Sequence, residues 1–234
     1  MTISEQDAVV AEDYVGYAEV RRNIRRLLEE YPGAAAHPVP ACPEWTVRDL
    51  LAHLVEIAER VLARFGAAVP PARGKLRLGE LLDRWDTLGA GIEPLLESAG
   101  GQRGDVLVTD AFTHELDLRY ALGLDFPVEH VAWVASFEVL VRGFSGSIVE
   151  RGLPALRIRT PGGGAWLAGA GPAGATLTAR PDVLYRSLAG RRSLDQISAL
   201  TWSADPGPWL PAFAWGPFRP PMAPVEMSHR RPAA

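Results

Sequence analysis

Residues 40–54 read PACPEWTVRDLLAHL, a stretch that leaves a proline-rich loop and enters a helix. Thr46 is a good N-cap residue, and Asp49 stands where it can complete a capping box, although Glu or Gln is commoner there. Trp45 precedes the cap and is expected to pack as a hydrophobic staple. Apolar residues then recur on one helix face, at Leu50, Leu54, Ile57, Val61 and Leu62. The stretch therefore predicts an amphipathic helix that ends near Gly66 and needs partners for its apolar face.

Further helices are predicted on both sides of this one. Apolar residues recur at helical spacing over residues 8–31, 78–97, 105–122 and 129–149. Pro94 is expected to interrupt the third helix of the chain, and Gly123 to end the fourth. Amphipathic helices bury their apolar stripes against one another, so residues 1–150 are predicted to form a helical bundle.

The pattern changes after Gly152. Alternating residues over 156–160 predict a strand, and a glycine turn over 162–164 leads to a second strand. This second strand is predicted at 165–168, a third at 175–179, and short helices at 181–189 and 193–200. Trp202, Trp209 and Trp215 are expected to pin the proline-rich tail to the body, the alternative being that they stack on a ligand. The predicted fold class is α+β, with the bundle over 1–150 and a small α/β domain over 151–234.

Composition and charge exclude several classes of protein. The chain has 234 residues, 47% of them hydrophobic and 22% charged, which is typical of globular proteins. A net charge of −4 gives no electrostatic reason to expect binding to nucleic acid or anionic membranes. Met1–Asp13 lacks the apolar core of a signal peptide, and Cys42 is the only cysteine, so no internal disulfide is expected. We predict a cytoplasmic protein, with a monomer or weak homodimer as the default.

Three residues have the type and spacing expected of a divalent-metal site. His114 lies four residues after Asp110, so both occupy one face of the fourth helix, and His53 lies on the inward side of the second. If these helices are neighbours, two imidazoles and one carboxylate meet and leave coordination positions open, as catalysis requires. The alternatives are a hydrogen-bonded core histidine and a simple helix pair. The spacing alone is compatible with a metal site and with either of these structural roles.

Other residues with reactive side chains give weaker evidence for a functional site. Cys42 lies between prolines and is expected to have a packing role. His130 has no acid at a useful spacing. The three glycines at 162–164 are not followed by the lysine and helix of a phosphate-binding loop.

Two motifs resemble those of the mycothiol-dependent maleylpyruvate isomerase family. PACPEWTVRDLLAHL at 40–54 is similar to the family's entry into its second helix, and DAFTHELDLRYALG at 110–123 is similar to its second motif. GRRS at 190–193 and WSAD at 202–205 resemble its closing segment. The resemblance implies a DinB-like four-helix bundle joined to a small sterol-carrier-like α/β domain.

The resemblance also implies the site. Family members hold a divalent metal, often zinc, with residues that fall here on His53, Asp110 and His114; the family usually has glutamate where Asp110 stands, so this ligand is one methylene shorter. Mycothiol would be the thiol cosubstrate. A metal lowers the pKa of a bound thiol; the thiolate adds to an activated double bond, and rotation and elimination give the other isomer. Arg191 or Arg192 is nominated to bind substrate carboxylates, the alternative being a solvated arginine at a helix end.

Three hypotheses follow for the function. The first is a metal- and thiol-dependent isomerase or transferase that acts on a small electrophile. The second is a family member recruited to a biosynthetic reaction, with the metal altered or absent; Asp110 in place of glutamate supports it. The third is a non-catalytic protein that binds a small molecule, which only the sterol-carrier-like character of the second domain supports. All three have small-molecule partners, without nucleic acid or membrane.

Overall fold

The computed structural model describes residues 13–69, 74–99, 104–127 and 129–226. The chain forms two compact units, Met1–Ser136 and Phe137–Ala234. The boundary between the two units lies within helix α5 (Trp133–Glu150). The division into domains at residue 150 stays a prediction. Within the described residues, no helix is long and apolar enough to cross a membrane.

The first unit contains the predicted bundle. Its helices are α1 (Asp13–Glu30), α2 (Val47–Arg64), α3 (Leu78–Ala99) and α4 (Asp105–Ala121). Helix α1 packs against α3 and α4, and α2 packs against the same two helices. The fully buried side chains include Tyr17, Ile24, Leu50, Leu51, Trp85, Ile92 and Phe112. Residues 8–12 of the predicted first helix lie outside the described ranges.

The start of α2 has the predicted capping box. The amide of Asp49 donates to the Thr46 hydroxyl at 3.3 Å, and the amide of Thr46 donates to the Asp49 carboxylate at 3.1 Å. Hydrogen bonds from the hydroxyl and the amide of Thr46 hold the pKa of the Asp49 carboxyl below its usual value. The capping box therefore fixes the residue at which α2 begins.

Two local expectations for the bundle were wrong. The proline-rich loop contains a short antiparallel hairpin of β1 (Pro38–Val39) and β2 (Cys42–Thr46), and β2 leads directly into α2. Helix α3 continues through Pro94 instead of being interrupted. Proline has no N–H, so the carbonyl of Ala90 receives no helical hydrogen bond from position 94. Because Pro94 and Ala90 are both exposed, water can hydrate that carbonyl instead. The buried side chains of Ile92 and Leu96 hold the helix on either side.

The second unit has a mixed four-stranded sheet and short helices. Its elements after α5 are β3 (Ala155–Arg159), β4 (Ala165–Ala168), β5 (Ala173–Thr178), α6 (Pro181–Leu188), α7 (Leu194–Ser198) and β6 (Thr201–Trp202). The strand order is β4-β3-β5-β6; β3 runs parallel to β5, and the other pairs are antiparallel. Gly163, with φ of +96°, supplies the tight turn between β3 and β4. The α+β class is confirmed.

Indole hydrogen bonds fix the tail, as predicted. Trp202 donates to the carbonyl of Ile197 at 2.9 Å, Trp209 to that of Pro154 at 2.9 Å, and Trp215 to that of Leu188 at 3.0 Å. Each ring thereby buries apolar surface while its N–H remains paired.

A buried ionic cluster holds the tail at Glu226. This fully buried carboxylate pairs with the guanidinium groups of Arg186 and Arg192, and Arg186 Nε donates to it at 3.0 Å. The side chain of Gln196 donates to the Glu226 carbonyl at 3.0 Å. Two buried cations therefore share one buried carboxylate.

Candidate metal centre

Helices α2 and α4 bring three potential metal ligands together. His53 Nε2 lies 3.8 Å from Asp110 Oδ2, and His114 Nε2 lies 3.8 Å from Asp110 Oδ1. One ligand atom from each of the three residues lies within 4.8 Å of the others. Each oxygen of Asp110 thus faces one imidazole. The structure places the three predicted residues at one point, and their role as metal ligands stays a prediction.

The packing of α4 explains why these groups are held in place. From Ala111 to Leu118 every residue of this helix is buried, so its polar side chains must find partners within the bundle. Asp110 and His114 are one helical turn apart and share a face. His53 faces them from α2, on the side of that helix where Leu50 and Leu54 are buried.

Asp117 orients the imidazole of His114. Asp117 Oδ2 lies 2.8 Å from His114 Nδ1, and the Asp117 side chain is fully buried. Because a carboxylate accepts and does not donate, the ring proton belongs on Nδ1. The lone pair of Nε2 is then directed at the site. Carboxylate–histidine pairs of this kind fix the tautomer and raise the basicity of metal-binding histidines.

The donor set fits a divalent ion such as zinc. A tetrahedral ion with bonds of about 2.0–2.1 Å requires its ligand atoms roughly 3.3 Å apart. The two separations of 3.8 Å that involve Asp110 would have to shorten by about 0.5 Å, and the ligand atoms of all three residues lie within 4.8 Å of one another. The side chains of His53 and Asp110 are 23% and 33% exposed, whereas the Asp110 Oδ2 atom that faces His53 is buried.

The ring of Trp45 lies against both histidines. Its centroid is 4.9 Å from that of His53 and 5.8 Å from that of His114. The sequence predicted that Trp45 packs as a hydrophobic staple at the start of α2. It did not predict the contact of this ring with the two histidines.

A buried phenol lies close enough to Asp110 for their charges to interact. Tyr17 accepts a hydrogen bond from Trp85 Nε1 at 3.0 Å. Burial raises the pKa of Tyr17 to about 12. The charges of Asp110 and Glu93 also raise this pKa, whereas the Trp85 hydrogen bond and the charge of Arg21 lower it.

The other side of α4 carries a second buried polar group. Glu115 accepts from Arg119 Nε at 2.8 Å and lies 3.0 Å from His130 Nε2. His130 Nδ1 accepts from the amide of Ala132 at 3.1 Å, and the side-chain amide nitrogen of Asn23 lies 3.0 Å from His130 Nε2. The expectation that His130 has no acidic partner was wrong. No helical periodicity links the two residues, because His130 lies in the segment after α4.

The nominated arginines belong to the second unit. Arg191 is half-buried beyond the end of α6, and its guanidinium donates to the carbonyl of Ala189 at 2.8 Å. Arg192 pairs with the buried carboxylate of Glu226. The role of Arg191 in binding substrate stays a prediction.

Comparisons with known proteins agree with the motifs. Residues 17–136, more than half of the chain, match the family model described as the mycothiol maleylpyruvate isomerase N-terminal domain. A solved structure, described as the crystal structure of the mycothiol-dependent maleylpyruvate isomerase, is similar with a TM-score of 0.47 and 14% sequence identity. That match covers 87% of this chain and 97% of the other. No curated protein matches the sequence.

Proposed function

The chain belongs to the mycothiol maleylpyruvate isomerase family through its N-terminal domain, and we propose that it is a metal- and thiol-dependent enzyme acting on a small electrophile. The observation that supports this proposal most strongly is the cluster of His53, Asp110 and His114, which lies inside the matched segment. Mycothiol is the proposed thiol, and the proposed reaction is isomerisation of an activated double bond or transfer of the thiol to an electrophile.

The proposal gives each residue of the candidate metal centre a role. His53, Asp110 and His114 would hold the divalent ion, with zinc the proposed metal. When bound, such an ion lowers the pKa of a thiol beside it and so supplies a thiolate at neutral pH. Asp117 holds the proton on His114 Nδ1 and keeps Nε2 free of one. We propose that thiol and substrate approach from the side of the partly exposed His53 and Asp110 side chains.

The proposed isomerisation needs no net proton transfer. The thiolate sulfur bonds to one carbon of the double bond, and the electron pair of the double bond moves to the conjugated carbonyl oxygen. The remaining carbon–carbon single bond rotates. Return of the electron pair expels the same thiolate and restores the double bond in the other geometry. In the transferase version, protonation of the adduct ends the reaction before expulsion.

Arg191 is the proposed cation for a substrate carboxylate, and Arg192 pairs with buried Glu226. A guanidinium binds a carboxylate through two parallel hydrogen bonds, which a lysine cannot reproduce. Replacement Arg191→Lys should therefore raise the KM for a carboxylate substrate about tenfold or more, an effect of the size expected for a charged hydrogen bond.

The test combines metal analysis with a thiol-dependent assay. We expect the purified protein to contain near-stoichiometric divalent metal, lost in His53→Ala and Asp110→Asn. His37→Ala, which replaces an exposed histidine outside the site, is the matched control and should retain the metal. Consumption of an unsaturated carboxylate should require both metal and a mycothiol-type thiol.

The outcomes distinguish the competing functions. Thiol-dependent turnover without metal, even after supplementation, would contradict the metal-dependent mechanism and favour recruitment to other chemistry. Saturable binding of a small molecule without turnover would favour the non-catalytic binding protein.

A further inference from the structure

The two candidate histidine ligands are held by different interactions. His114 has a hydrogen bond from Nδ1 to Asp117 at 2.8 Å. Across the four described ranges, Nδ1 of His53 has no hydrogen-bond partner, and its polar neighbour at Nε2 is Asp110 at 3.8 Å. Metal-binding histidines almost always donate their second ring N–H to a carboxylate, a carbonyl or water, which fixes the ring orientation. Among the described residues, His53 has no such protein partner.

An aromatic contact takes the place of that hydrogen bond. The Trp45 ring lies 4.9 Å from the His53 ring at an interplanar angle of 41°, and 5.8 Å from the His114 ring at 33°. The two imidazoles lie 5.0 Å apart with planes at 72°. Each of the three rings therefore contacts the other two. Rotation of His53 about its side-chain torsions would break its contact with Trp45.

The backbone fixes Trp45 itself. This residue lies in β2, which is paired with β1, and it immediately precedes the capping residue Thr46. Strand β1 contacts α4, and β2 contacts α2. The hairpin therefore holds the indole where the two ligand-bearing helices meet. Trp45 is half-buried.

We propose that Trp45 is a positioning residue for the metal centre: its ring fixes the rotamer of His53, as the Asp117 carboxylate fixes that of His114. This inference rests on the proposed metal site and not on the proposed reaction. The proposal explains why an aromatic residue stands at position 45, just before α2 begins. Phenylalanine should fulfil the role in part, because it preserves the ring contact, and alanine should not.

The first measurement uses metal-free protein and NMR coupling constants that report side-chain rotamers. We expect His53 and His114 each to occupy one χ1 rotamer in the parent protein. In Trp45→Ala, His53 should average over rotamers while His114 remains fixed, and Trp45→Phe should restore a single His53 rotamer. Averaging of His53 in the parent protein, or no change in Trp45→Ala, would overturn the proposal.

The second measurement is zinc affinity by competition with a chelating dye. Trp45→Ala should weaken zinc binding about tenfold, the lower end of effects seen for residues behind a ligand, and Trp45→Phe should stay within about threefold of the parent. Trp166→Ala removes a half-buried tryptophan from the second unit and should leave the affinity unchanged. An unchanged affinity in Trp45→Ala would overturn the Trp45 proposal alone. Absence of zinc binding in the parent protein would instead contradict the proposed function, and the NMR result would still decide the role of Trp45.

Discussion

Replacement of Asp117 by asparagine tests how the site prepares His114 for a metal. The carboxylate lies 2.8 Å from His114 Nδ1, and both side chains are almost fully removed from solvent. Asparagine has nearly the same size but no charge. If its amide oxygen faces the ring, a weaker neutral hydrogen bond replaces a charged one. If its amide nitrogen faces the ring, the imidazole proton moves to Nε2, the atom that must bind the metal.

The size of the effect follows from the charge. Hydrogen bonds to charged groups contribute about 1.5–3 kcal/mol, and neutral ones about 0.5–1.5 kcal/mol. The loss should therefore be roughly 1–2 kcal/mol, in line with the 10- to 100-fold losses (about 1.4–2.7 kcal/mol) known for residues behind metal ligands. We expect the Kd for zinc to rise about 10- to 100-fold in Asp117→Asn.

The assay is a zinc titration against a chelating dye, with unfolding curves to establish that each variant is folded. Asp83→Asn makes the same chemical change on α3, where the side chain is 77% exposed, and should bind zinc as the parent does. A folded Asp117→Asn protein with the parent's affinity would refute the assigned role. An equal loss in Asp83→Asn would show that the effect is not local to the site.

Three further changes should alter stability. The pKa of Tyr17 is raised from 10.0 to about 12. Its contribution to stability should be complete below pH 10 and be lost as the pH rises through 12, by roughly 3 kcal/mol in total, and denaturant unfolding of Tyr17→Phe should lack this loss. Glu226→Gln leaves the buried Arg186 and Arg192 without their carboxylate and should lower the free energy of unfolding by about 3–5 kcal/mol in urea titrations. Thr46→Ala removes the N-cap of α2 and should lower it by about 1 kcal/mol in the same titrations.

Clear results would contradict each of these. Parallel pH profiles for the parent and Tyr17→Phe would show that this phenol does not carry the alkaline loss. Glu150→Gln, at an exposed position on α5, is the control for Glu226→Gln, and equal effects of the two would contradict the buried cluster. An unchanged midpoint and slope for Thr46→Ala would mean that the capping box contributes nothing measurable.

Features set by local chemistry could be predicted from the sequence. The capping box at Thr46 and Asp49 depends on residues three apart, and the shared face of Asp110 and His114 depends only on helix geometry. The helices and strands β3, β4 and β5 likewise follow from the sequence pattern, whereas β1, β2 and β6 were not predicted. The resemblance of the two motifs then supplied the family, which the match over residues 17–136 shows.

Features that depend on tertiary packing could not be predicted in this way. The approach of His53 to α4 and the contact of Trp45 with both imidazoles are set by how the helices pack. The pairing of Glu115 with His130 arises from the path of an irregular segment. Pro94 is tolerated because its side of α3 faces solvent, which the residue type alone does not reveal.

The ligands of the candidate centre come from helices α2 and α4, and the whole of α3 lies between them in the chain. An ion held by His53, Asp110 and His114 would therefore bridge two distant parts of the polypeptide that separate when the bundle unfolds. Ligand binding to the folded state alone adds about 2.7 kcal/mol of stability at a free concentration one hundred times the Kd. The melting temperature of the bundle would then rise with free zinc and fall with a chelator, so that the lifetime of the fold in the cell would follow the supply of metal.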